Sequence, residues 1–121
     1  MPASDFAPQA RTAARILRMR ALRWDYFRSD LFDEHAWSML LILFVTHSEG
    51  RVIASEDLCR ESGADGPTGQ RWIRHLVKSE LLELDGDNVQ LTALNRAEMA
   101  DYLTEIGKLF DEDENEPATM A

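Results

Sequence analysis

The sequence predicts a mainly α fold with a small β-hairpin, five helices plus a short two- or three-stranded sheet, in one domain of a 121-residue chain. Three observations lead there. Apolar residues recur at helical spacing through most of the chain, one stretch near residues 81–92 alternates with period two, and turn and cap residues punctuate the boundaries. The composition, 45% hydrophobic and 29% charged, is that of a globular protein rather than a disordered or fibrous one.

Residues 1–9 lack a pattern and are expected to be disordered. The domain then runs over residues 10–110. The first helix is predicted from about Thr12 to Phe27, with Ala13, Ile16, Leu17, Ala21, Trp24 and Phe27 on an apolar stripe and Arg11, Arg15, Arg18, Arg20 and Arg23 on the remaining positions. A second helix over Glu34–Ser48 is apolar on nearly every side between Ala36 and Val45, as a helix buried within a domain must be. Glu49-Gly50 ends it, and Arg51–Ala54 can form a short strand. Ser55 is placed as the N-cap of a brief third helix that Gly63 closes.

Pro67 suits the first turn of a fourth helix, where its missing N–H has no intrahelical partner to lose. This helix runs to about Glu80 with two faces. Gly69, Ile73, Leu76 and Val77 point inward with Trp72 beside them, whereas Arg71, Arg74, His75 and Lys78 lie at i, i+3, i+4 and i+7 behind Thr68. A hairpin follows. Pairing Leu84 with Val89 also pairs Leu82 with Leu91 and leaves Gly86-Asp87 as a two-residue turn of type II′. Thr92 caps a last helix to about Phe110, with Met99, Leu103, Ile106 and Phe110 as its stripe. Residues 111–121 begin with the run Asp111-Glu112-Asp113-Glu114 and are expected to form a disordered acidic tail.

The order helix, helix, short strand, short helix, helix, hairpin, helix is that of a winged helix-turn-helix. In that arrangement the short third helix braces the next, whose exposed face enters the major groove of DNA. Arginine reads the donor and acceptor pattern of base edges there. Thr68, Gln70, Arg71 and Arg74 are the candidates for base contacts, Gln70 lying beside the stripe, His75 shares the stripe, and Lys78 and Arg60 suit phosphates.

Charge is unevenly spread. The net charge of −9 divides into +4 over residues 1–28, −3 over 29–78 and −10 over 79–121. An acidic total opposes non-specific nucleic-acid binding but leaves room for a locally basic face. The arginines of the first helix have three uses open to them: DNA backbone, pairing with the acidic last helix, or solubility.

The segment Asp30-Leu31-Phe32-Asp33-Glu34-His35-Ala36-Trp37-Ser38-Met39-Leu40-Leu41, then Leu58-Cys59, then Thr68-Gly69-Gln70-Arg71-Trp72-Ile73, resembles small bacterial winged-helix proteins of the MarR-like class. The resemblance spans about residues 12–108, and Arg71-Trp72-Ile73 followed by Leu81 and a hairpin is its most specific part. It implies a dimeric transcriptional regulator that binds double-stranded DNA, with the first and last helices paired between subunits. Leu17, Trp24, Met99, Leu103, Ile106 and Phe110 are the expected interface residues; the stripe on the last helix reads as a dimer seam ahead of intramolecular core, because a domain this small cannot easily cover both terminal helices by itself. The wing departs from the class, whose longer tips carry arginines: here the tip is Asp85-Gly86-Asp87-Asn88, and carboxylates repel phosphate.

Other chemistries find little in the sequence. Cys59 is the single cysteine, which excludes an internal disulfide, and it reads as a small buried residue ahead of a redox-sensing thiol. His35, His47 and His75 lack ligand spacing, so no metal or other cofactor is expected. No glycine-rich phosphate loop or nucleophile elbow occurs, which reads as a non-enzyme. Trp24, Tyr26, Phe27, Trp37 and Trp72 read mostly as core, with a small-molecule effector left open. The longest apolar run, Met39–Val45, is far short of the roughly 20 residues of a membrane span, and no secretory signal is seen, so a cytoplasmic protein is expected. A protein-interaction module or accessory factor that does not itself bind DNA is the competing reading, motivated by the acidic wing and C-terminal segment.

Overall fold

A computed structural model describes residues 6–27 and 33–115, with side chains except at 112–115. Five helices and three strands follow in the order α1 (Ala7–Tyr26), α2 (Glu34–Ser48), β1 (Ile53–Ala54), α3 (Ser55–Glu61), α4 (Pro67–Lys78), β2 (Leu82–Asp85), β3 (Asn88–Leu91) and α5 (Ala93–Asn115). This is the mainly helical, winged-helix-type arrangement expected, with a three-stranded antiparallel sheet in the order β1-β3-β2. None of the described helices is long and apolar enough to cross a membrane.

The chain divides into two compact units, Arg28–Met99 and Met1–Phe27 with Ala100–Ala121. In the first unit, α2 presents Ala36, Met39, Leu40, Leu43 and Thr46 to the interior, a single stripe at helical spacing. Burial all round does not hold, because Val45 is exposed. Leu58, Cys59, Ile73, Leu76, Leu82, Val89 and Leu91 complete this core. Asp33 caps α2 by accepting hydrogen bonds from the backbone N–H groups of His35 (2.8 Å) and Ala36 (3.3 Å).

Helices α2, α3 and α4 end alike. The residue after each C-cap has positive φ, and paired backbone bonds close the end: Gly50 to His47 and Arg51 to Thr46; Gly63 to Arg60 and Ala64 to Cys59; Glu80 to Val77 and Leu81 to Leu76. This is the Schellman pattern. Only α4 closes it without glycine, holding Glu80 at φ 65°. The first helical residue of α3 is Ser55 itself, and Ala54 is its N-cap without a side-chain bond. The Ser55 N–H is instead held by the Asp87 carbonyl of the hairpin (2.9 Å).

The hairpin register pairs Leu82 with Leu91, Glu83 with Gln90, Leu84 with Val89 and Asp85 with Asn88. Gly86, at φ 63°, takes the left-handed first central position of the II′ turn. Thr92 accepts from the Asn95 N–H (3.2 Å), capping α5, and its hydroxyl donates to the Glu80 carbonyl (2.9 Å), joining the exit of α4 to the entry of α5.

The second unit pairs α1 with the C-terminal part of α5. Two helices side by side can cover only one face of each, and the face covered on α1 differs from the expected one. Arg15 is buried (8% exposed), Met19, Leu22 and Tyr26 are half-buried, and Phe27 is buried. Apart from Phe27, the expected stripe lies outside: Ile16, Leu17 (63% exposed) and Trp24 (60%) are exposed, as are Ala13 and Ala21. On α5 the inward residues are Tyr102, Ile106 and Leu109, and Tyr102 meets Tyr26 and Phe27 edge-on at centroid distances of 5.7 and 5.6 Å.

Both terminal helices exceed their expected lengths. α1 starts at Ala7, so residues 7–9, read as disordered, are helical; Pro8 stands in the first turn, where it is tolerated. α5 continues to Asn115, because a helix already formed gains one hydrogen bond for each residue it adds. Residues 1–5 and 116–121, at the ends of the expected disordered segments, lie outside the described residues.

Candidate nucleic-acid interface

The exposed face of α4 is built from below by a close helix crossing. A Cβ on Gly69 would stand 1.9 Å from the Ala64 carbonyl oxygen and 2.6 Å from Cys59 Sγ. Only glycine permits α3 and α4 to approach so nearly. Gly69, Ile73 and Leu76 face inward, and this sets the opposite face of the helix toward solvent.

On that outer face Thr68, Arg71, Arg74, His75 and Lys78 are all exposed. The eleven residues from Thr68 to Lys78 span about 15 Å along the helix. α4 holds three bases and no acid, and among the described residues Arg71, Arg74 and Lys78 enter no ion pair. Their charge is therefore available to an anion. His75 lies edge-on to Trp72 (5.8 Å between centroids, 77° between planes). Thr68, Arg71, Trp72 and His75 line a shallow depression of about 450 Å3. Trp72 is half-buried, so the apolar wall of this depression is an indole that the sequence assigned to the inner side.

Two of the candidates face other duties. Gln70 is half-buried and its Nε2 lies 3.7 Å from Cys59 Sγ, so it is turned toward the α3–α4 crossing. Arg60 is exposed but hydrogen-bonded and ion-paired with Asp57, which raises its pKa. Cys59 is buried, and burial, with Asp65 and Glu56 nearby, pushes its thiol above the ordinary value. A thiol so held is a poor nucleophile.

No protein-family model, curated protein or solved structure matches this chain.

Beside α4, the hairpin has the opposite charge. Residues 79–95 carry Glu80, Glu83, Asp85 and Asp87 and no base. Those four acids are exposed, and Glu83 accepts a hydrogen bond from Gln90 Nε2 (2.8 Å). Among the described residues no group of three His, Cys, Asp or Glu side chains is arranged to hold a metal.

Of the residues expected between subunits, Met99 and Ile106 are already buried within the chain. Leu103 is half-buried, and Leu17, Trp24 and Phe110 (51%) are exposed. The expected stripe on α5 thus mixes two faces. Tyr102 and Leu109 belong to the inner one and were missed, because Met99, Tyr102, Ile106 and Leu109 fit helical spacing as well as the set chosen.

Proposed function

We propose that this protein is a DNA-binding transcriptional regulator of MarR-like type, a homodimer of the bacterial cytoplasm that reads the major groove with α4. The observation that carries the reading is the outer face of that helix: Arg71, Arg74 and Lys78, exposed and without ion pairs among the described residues, with Thr68 and His75 on the same side. A rod of this length and charge fits a groove about 12 Å wide, and its arginines suit guanine edges. The exposed Ile16, Leu17, Trp24 and Phe110 favour a second copy as partner.

Selection of bound duplexes from a random pool at two salt concentrations tests this. An enriched motif with two-fold symmetry is expected, and Arg71→Ala or Arg74→Ala should each relax it at one position by about 1–3 kcal/mol. A pool in which no motif is enriched overturns the reading. The acidic hairpin favours a second one, a protein-interaction module that leaves DNA to another protein.

A further inference from the structure

The outer edge of β2 is a surface that DNA binding by α4 does not use. β2 is an edge strand, with β3 on its inner side. Asp85 and Asn88 flank the two-residue turn and so form a hydrogen-bonded pair, as do Glu83 and Gln90. By that alternation Leu82 and Leu84 turn their backbone N–H and C=O groups toward the open edge. The side chains alternate as well. Leu82 is buried, Leu84 is 56% exposed, and Glu83 and Asp85 stand exposed on the opposite face.

We propose that this edge docks an extended, basic segment of a partner protein, which adds to the sheet as a fourth strand. Charge decides the occupant. Nucleic acid is repelled by four carboxylates with no base among them. A second copy of β2 would set Glu83 and Asp85 against their own kind, and like charges facing across strands are destabilising. A strand with lysine or arginine at alternate positions meets Glu83 and Asp85 on one face. Its intervening apolar residues cover Leu84 on the other, and its backbone satisfies the open groups of Leu82 and Leu84. The specificity required of the partner is therefore a period-two pattern of basic and apolar residues.

The probe is a capped heptapeptide of alternating lysine and valine, titrated into the full-length 15N-labelled protein. Amide shifts confined to residues 82–85, with slowed hydrogen exchange at Leu84, are expected. A lysine–glycine peptide of equal charge and a lysine–valine peptide N-methylated on its bonding edge should each bind at least about tenfold more weakly. Glu83→Lys with Asp85→Lys should do the same, and the N-methylated peptide keeps the test valid if that variant does not fold. Equal binding of the lysine–glycine peptide would reduce the site to counter-ion attraction and overturn the proposal. So would the absence of shifts at β2, or equal slowing of hydrogen exchange at Leu84 by duplex DNA. Duplex selection by α4 is measured separately, so failure of either reading leaves the other standing.

Discussion

Gly69 and Glu80 bracket α4 and hold it by opposite means. At Gly69 the constraint is space: a methyl group would overlap the Ala64 carbonyl, which is backbone and cannot swing aside. Gly69→Ala is expected to destabilise the protein by about 2–3 kcal/mol, read as a lowered urea midpoint. At Glu80 the constraint is conformation. An L-residue at φ 65° is strained by about 1 kcal/mol, and the Glu80 side chain is exposed, so Glu80→Gly should raise stability by about that amount. A midpoint lowered by that substitution would show that the side chain makes a contact of greater worth. Two buried acids report on pH. Burial raises the Cys59 thiol and the Tyr102 phenol above their ordinary values of 9.0 and 10.0, the latter against a smaller opposing effect of Arg23. The unfolded chain therefore loses these protons first, and folded-state stability declines as pH rises from about 9 through the raised values. Urea midpoints at pH 7, 9 and 10 should fall in that order, and Cys59→Ala should remove the earlier part of the decline.

At the level of elements, what was legible in sequence was what short-range chemistry decides. The bounds of α2 follow from its apolar block and Gly50, the hairpin register from alternation and Gly86, the start of α4 from Pro67, and the cap of α5 from Thr92. The rotation of α1 was not legible. Ile16, Leu17 and Trp24 form the better apolar stripe, yet Arg15, Met19 and Leu22 are the residues turned inward, because a long arginine stem packs as hydrocarbon and pattern alone does not weigh it. The same ambiguity on α5 placed Met99 and Ile106 between copies when they fill the chain's own interior. The proposed homodimer, joined through the outward stripe on α1, predicts that Leu17→Glu with Trp24→Glu lowers the oligomeric state in sedimentation while leaving helical content unchanged. Retention of a dimer by that double variant would place the contact elsewhere.

For the whole molecule, the distribution of charge matters more than its sum. A net charge of −9 sets a repulsive background for the proposed role of the three bases on α4, which predicts duplex binding that is short-ranged and strongly dependent on salt. Each phosphate contact steepens the plot of log affinity against log salt by about 0.9, and Lys78→Ala is expected to flatten it by about one such step with little change in sequence preference. An unchanged slope would remove Lys78 from the backbone contacts. The basic face could be read from the sequence because i, i+3, i+4 and i+7 spacing defines a helix face by itself. The occupation of Gln70 and Arg60 could not, since each depends on a neighbour, Cys59 across the crossing in one case and Asp57 one turn away in the other.

The hydrogen bond from the Ser55 N–H to the Asp87 carbonyl gives the molecule an internal gauge. That amide opens α3 but is protected by the tip of the hairpin, so it exchanges with solvent only when the tip lifts away. Its exchange rate is a direct measure of how often the wing detaches from the helix that braces α4. One backbone proton thus records the state of a surface several elements removed from it in sequence, without a label or a substitution.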